Sequence, residues 1–269
     1  MTMGKSLMAA VLVLAGSGGQ AAPAAPAEAP VAARTIDLAR AFGTRSPWTF
    51  TTPQGPDIID PIMDEPDAKV PGELRLCISK DHGRTCSTVL DDALTVRGQP
   101  DTFSEAHYLN DARIVFPAAS TPILLLQAGS LQSVNGDQRI ATVALAYDRT
   151  KDTFFVAYQR RTGHNNNQEV RYIAQGPLRG AIVSAEPTED APFGFWMTVN
   201  RVGPDKRFAE VLRNRSATRY GDGNTLAVID SEMPNLLRRL GLWHPGSPIP
   251  LPATPCLKPH LISGALWCR

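Results

Sequence analysis

Arg201, Lys206, Arg207, Arg213, Arg215 and Arg219 form a basic stretch with Tyr220 beside it. On a strand running from Phe208 through Arg215, Arg213 and Arg215 project from one face, because strand side chains alternate with period two. Two guanidinium groups so placed suit a carboxylate, sulfate or phosphate, each of which accepts paired N–H bonds. Asp205, Glu210 and Asp222 stand close enough in the chain to neutralise them internally, so a self-paired face is the competing reading. The first expected ligand-facing set is therefore Arg213, Arg215, Arg219 and Tyr220. The second is the polar segment 163–169, where Asn165, Asn166 and Asn167 carry amides able to read sugar hydroxyls but equally suited to a plain turn. Phe193, Phe195 and Trp196 read as core on an alternating strand rather than as a sugar platform.

Little else in the chain has catalytic spacing. Glu105 and His107 would share a face on a strand and form an acid–base pair. The sequence holds no G-x-S-x-G elbow, P-loop, G-x-G-x-x-G or H-E-x-x-H motif. His82, His107, His164, His244 and His260 lack metal-ligand spacing, and Asp222-Gly223-Asn224 offers too few oxygens for calcium. No cofactor or metal is expected. Catalytic residues cannot be assigned, since paired carboxylates for glycan hydrolysis are recognised by their separation in space.

The beginning of the chain addresses its location. Lys5, the apolar run Leu7 to Ala15 and the small residues up to Ala21 have the three parts of a secretory signal peptide. Cleavage is expected after Ala21. An uncleaved anchor is the alternative, but the run is far shorter than the roughly 20 residues that span a bilayer. Leu14-Ala15-Gly16-Ser17 resembles a lipobox with Ser where the lipid-bearing Cys would stand. Residues 22–34, rich in Ala and Pro, read as a tether unable to build a core. Residues 35–244 are expected to form one β-rich domain, and 245–269 a Pro-rich tail.

An exported chain is free to form disulfides, and Cys77, Cys86, Cys256 and Cys268 are an even set. Close spacing favours Cys77–Cys86 and Cys256–Cys268, each worth roughly 2.5–3 kcal/mol in the chain-entropy account. A zinc site would need tighter pairs. The formal net charge of +1 falls to zero once Met1–Ala21, with Lys5 its one charged residue, is removed. Nucleic-acid binders carry a basic excess that this chain lacks.

The positioning elements are mostly strands. Ile140–Tyr147 and Thr153–Tyr158 flank the polar turn 148–152 as a hairpin. Further strands are expected at Glu73–Ile78, Ile123–Gln127, Val170–Ala174, Ala181–Ala185, Phe193–Val202, Phe208–Arg213 and Thr225–Ile229. A short helix is expected near Thr35–Gly43. Another is expected at 231–240, capped by Ser231, with Pro234 in its first turn. The fold class is mainly β, with antiparallel sheets arranged as a sandwich, barrel or propeller.

Ser79-Lys80-Asp81-His82-Gly83-Arg84-Thr85-Cys86 resembles the Asp-box, S-x-D-x-G-x-x-W, of sialidase-like β-propeller proteins, with Cys86 in place of the Trp. The resemblance implies a hairpin whose Asp accepts turn N–H groups and whose Gly takes a left-handed conformation. It also implies a bridge from Cys86 to Cys77 in place of the aromatic anchor. It covers this octapeptide and implies no catalysis.

Together these readings give an exported soluble protein of the bacterial envelope, periplasmic or secreted, with no stable membrane insertion after signal cleavage. A non-catalytic binding role comes first, its partner an anionic small molecule, a glycan or an envelope protein. A hydrolase of envelope glycans is the alternative, and a purely structural envelope component is a third reading.

Overall fold

The computed structural model describes residues 35–61, 68–91, 93, 105–163, 168–190, 193–219, 224–252 and 255–268. The signal and tether segments lie outside these. Short strands come first: β1 (Thr35–Asp37), β2 (Thr49–Thr51), β3 (Ile58–Ile59), β4 (Lys69–Val70) and β5 (Cys77–Ser79), with helix α1 (Leu38–Phe42) between β1 and β2. Two long meanders follow. β6 (Tyr108–Ala118), β7 (Thr121–Gly129), β8 (Arg139–Asp148) and β9 (Thr153–Gly163) make one four-stranded antiparallel sheet. β10 (Glu169–Tyr172), β11 (Ile182–Pro187), β12 (Phe193–Val202) and β13 (Phe208–Arg219) make the second. Helix α2 (Val228–Arg239) and the hairpin β14 (His260–Ile262) and β15 (Ala265–Trp267) close the order. The protein is mainly β, and each sheet is open among the described residues.

Apolar residues dictate how these pieces stack. Along β8, every residue from Ile140 to Tyr147 is buried, so both faces of this sheet must be covered. One face carries Leu124, Leu126, Val143, Leu145 and Phe154 and packs under Leu38, Phe42, Trp48, Phe50 and Ile78 of the N-terminal segment. The other face carries Ile123, Leu125, Ala144, Ala146 and Tyr158 and meets Val170 and Ile182 of the second sheet. The far face of that sheet, with Val183, Phe195, Met197 and Val199, is closed by Val228, Ile229, Leu236 and Leu237 of α2. The order of layers is thus N-terminal segment, first sheet, second sheet, helix. This is a sandwich-like stack of meanders and not a ring of blades. Phe50 and Phe195 are fully buried, each contributing about 2–3 kcal/mol of transfer free energy.

Polar contacts fix the layers relative to one another. Asp152, in the β8–β9 turn, accepts from Ser46 Oγ (2.5 Å), Tyr147 OH (2.6 Å), Lys80 Nζ (2.9 Å) and Trp48 Nε1 (3.2 Å). These donors, Ser46 first, hold its carboxyl far below the usual carboxylate range. At the far layer, Arg171 bridges Glu169 (2.8 Å) and Asp230 (2.6 Å), and Glu169 Oε1 accepts the Ile229 N–H at 2.9 Å. The N-cap residue of α2, Ala227, has no side chain able to cap; a carboxylate from the neighbouring strand does so instead. Gly180, at φ +84°, lets the β10–β11 turn rest against β6. A Cβ there would stand 2.4 Å from the Pro117 carbonyl.

Several expectations are corrected. Residues 225–229 form no strand, since α2 begins at Val228 and buries Val228 and Ile229 against the sheet. Ser231 is inside the helix and donates to the Leu266 carbonyl (2.9 Å) instead of capping. Pro234 is likewise internal, where it forfeits the bond to the Asp230 carbonyl. α1 is capped by Asp37, not Thr35, and ends at Gly43 in the left-handed conformation. The eleven-residue β6 escaped the sequence reading because Asn110, Asp111, Arg113 and Pro117 break its pattern. Its paired register is itself irregular at 109–111 and 115–118.

Both disulfides join the expected cysteines, each with Cα atoms 5.1 Å apart. In the Asp-box-like octapeptide, Asp81 Oδ1 accepts the Thr85 N–H (2.9 Å), Ser79 Oγ accepts that of Gly83, and Gly83 has φ +90°. No second strand follows, however. β5 pairs with β2, and the returning limb is held by Ser87 N–H to the Ile78 carbonyl (2.7 Å) and by the Cys77–Cys86 bridge.

Candidate functional site

The open end of the β8–β9 hairpin forms a cleft of about 290 Å³ lined by Asp137, Gln138, Arg139, Arg161, Thr162 and Gly163, with Gln168 across from them. Hairpin register builds it. Arg139 pairs with Gly163 and Arg161 with Ala141, so the two arginines are diagonal neighbours on one face. Arg161 donates Nε–H to the Ala93 carbonyl at 3.0 Å, which sets the direction of its guanidinium. Gln138 is buried and donates to the Ser130 carbonyl at 2.7 Å. Gly129 makes room for it, since a Cβ there would stand 2.6 Å from Gln138 Nε2. Gln168 Oε1 accepts the Gly163 N–H at 3.1 Å, tying the end of β9 to the start of β10. The result is a polar recess with two fork-shaped cations, amide groups, the Thr162 hydroxyl and the carboxylate of Asp137.

The sequence-expected residues are distributed differently. Arg213 and Arg215 do share a face of β13, pairing with Thr198 and Trp196 respectively. Arg213 lies over the Trp196 ring, its guanidinium carbon 4.7 Å from the centroid, and Arg215 is ion-paired with Asp190. Arg219 ends β13 opposite Phe193. Tyr220, Asn165, Asn166 and Asn167 lie outside the described residues, although Gly163 and Gln168 on either side of the Asn run line the cleft. Trp196 departs from its core assignment: it is 38% exposed, while Phe195 beside it is fully buried. Glu105 and His107 form no acid–base pair. His107 is buried with Nδ1 2.8 Å from the Pro71 carbonyl, and Glu105 is exposed. Sequence reasoning missed Arg139 and Arg161. The signal lay in the hairpin itself, which extended outward by one residue on the first strand and three on the second places both beside one opening.

A second polar region lies between the two sheets. Tyr158 on β9, Ser184 on β11 and Asn200 on β12 are buried, and the Tyr158 hydroxyl is hydrogen-bonded with Ser184 and Arg160. Burial pushes the Tyr158 hydroxyl up to about 12, with Arg160, Glu186 and Ser184 close by. Arg160 on β9 and Glu186 on β11 form a half-buried ion pair across the layer.

Among the described residues no three His, Cys, Asp or Glu side chains are grouped to hold a metal ion, and no helix is long and apolar enough to cross a membrane. The chain matches no protein-family model, no curated protein and no solved structure.

Proposed function

We propose that this chain is an exported binding protein of the bacterial envelope, periplasmic or secreted, that takes a small anionic ligand in the Arg139–Arg161 cleft. The observation that carries the reading is the convergence of two guanidinium groups on a recess of about 290 Å³ with amide and hydroxyl groups around them. Guanidinium forks recognise carboxylate, phosphate or sulfate through paired hydrogen bonds. The signal-like start and the two disulfides support an oxidising compartment. Binding is preferred to glycan hydrolysis because Asp137 is the one carboxylate in the lining among the described residues, whereas the usual hydrolytic mechanism takes two.

The site moves from Arg213 and Arg215 to Arg139 and Arg161 because the latter line a recess, whereas Arg213 and Arg215 lie on an exposed strand face. Titration of the mature protein with inorganic phosphate, sulfate and galacturonate tests the assignment. One of these anions is expected to bind, and Arg139→Ala with Arg161→Ala to weaken it at least about tenfold, the ~1.4 kcal/mol of one charge-assisted hydrogen bond. Equal affinity in the double variant, with its melting temperature preserved, refutes the site.

A further inference from the structure

Asp137, the carboxylate in the cleft lining, is held by its backbone and left open at its side chain. The turn before β8 closes on Ser133, whose N–H donates to the Asp137 carbonyl at 2.8 Å and whose Oγ accepts the Asp137 N–H at 3.0 Å. Both backbone groups of Asp137 are thus satisfied, which sets the direction of its Cα–Cβ bond. The carboxylate itself accepts no hydrogen bond and joins no ion pair among the described residues. It is nevertheless half-buried and lines the same recess as Arg139 and Arg161. Both arginines do make contacts within the protein. A guanidinium carries five N–H donors, so engagement by the protein and by a ligand are compatible.

We infer, resting on the anion reading of the cleft, that its ligand is a dicarboxylic α-amino acid, with the two carboxylates taken by Arg139 and Arg161 and the ammonium group by Asp137. The charges match: two guanidinium groups and one carboxylate in the lining complement two carboxylates and one ammonium group in the ligand. Arg139 and Arg161 are diagonal neighbours across the hairpin, with stems that start roughly 7–8 Å apart, so their flexible side chains can converge on a short diacid. An ion that is negative alone, such as sulfate, gains from the arginines but is repelled by Asp137 in the same small space. An ammonium group on the ligand turns that repulsion into attraction, and the difference is a source of selectivity. A recess of about 290 Å³ stands at the small end of ligand sites, which suits one amino acid better than a peptide or an oligosaccharide.

Calorimetric titration of the mature protein with both enantiomers of glutamate and aspartate, against glutarate and succinate, which lack the ammonium group, tests the assignment. At least one amino acid is expected to bind about tenfold more tightly than its diacid counterpart, the ~1.4 kcal/mol of one charge-assisted contact. Asp137→Asn, which keeps both backbone bonds to Ser133, is expected to abolish that preference while binding the diacid at least as well as the wild type does. Equal affinity for amino acid and diacid in the wild-type protein would overturn the assignment. So would a preference that survives Asp137→Asn with the melting temperature unchanged. Binding of phosphate, sulfate or galacturonate without binding of any amino acid would overturn it and leave the anion reading standing, whereas no binding by any of these ligands would overturn both.

Discussion

Replacing Arg171 by Met puts the helix anchor under test. Arg171 neutralises two carboxylates at once, Glu169 at 2.8 Å and Asp230 at 2.6 Å, and Glu169 in turn caps α2 through the Ile229 N–H. Burial, foremost, raises the Glu169 pKa, and Arg171 is the main influence pulling it back down. Met retains most of the stem volume but leaves the two acids facing each other. Removing one partner of a buried pair costs about 3–5 kcal/mol. Arg171 is one-third exposed at its side chain (35%), so about 2–3 kcal/mol is the expected loss at neutral pH, once discounted for solvent screening. The sign of the pH dependence follows from the raised pKa. Stability from a protonated Glu169 is fully present below its unfolded value near 4.5 and is lost as pH rises through the folded value. Without Arg171 that folded value climbs further. The variant should then lose stability relative to wild type as pH rises from mildly acid to neutral, at no more than about 1.4 kcal/mol per pH unit for one proton. Urea denaturation of both proteins across that range measures the difference. Adding Glu169→Gln should recover part of the loss, since the amide oxygen still accepts from Ile229. A loss that is independent of pH and unrelieved by the second substitution would refute the electrostatic account and leave only lost packing.

Neighbouring positions on β12 should separate sharply. Phe195→Ala is expected to cost about 3–5 kcal/mol in urea denaturation because its side chain is fully buried, while Trp196→Ala, 38% exposed, should leave the midpoint nearly unchanged. Cys256→Ser with Cys268→Ser removes the bridge that closes the tail. It should cost roughly 3 kcal/mol in the chain-entropy account and speed hydrogen exchange of the backbone amides in the β14–β15 hairpin. Asp152 has a folded pKa far below its ordinary 3.8, so its contribution is present above that value and is lost as pH falls through the folded one. Asp152→Asn should therefore be destabilised by a constant amount from neutral pH down to about pH 4, the gap narrowing only below that. Gly180→Ala should destabilise more than Gly136→Ala in parallel melts, because its Cβ would meet the Pro117 carbonyl at 2.4 Å whereas Gly136 faces open space.

What the chain alone determined was local. Aromatic and β-branched runs located the hairpin of β8 and β9 and the strand Phe193–Val202, because a strand covered on both faces is a nearly continuous apolar run in residue order. Cysteine spacing paired the disulfides, since short loops close at the least entropic cost. Asp81 and Gly83 shaped their turn through contacts within four residues. What depends on partners far away in the chain was decided by tertiary packing. β6 is a strand because β7 supplies its hydrogen bonds, in spite of its polar interruptions and Pro117. α2 begins at Val228 because Glu169, from the neighbouring sheet, caps a helix whose own sequence has no cap there. Trp196 and Phe195 are both aromatic and have opposite fates, since side chains alternate across the strand and only Phe195 faces the helix. The same holds for function: sequence selected basic residues crowded along one strand, whereas the cleft arginines were brought together by the two strands of a hairpin. Charge density is visible in a sequence, but concavity is a property of how strands end and layers diverge, and only the assembled sheets define it.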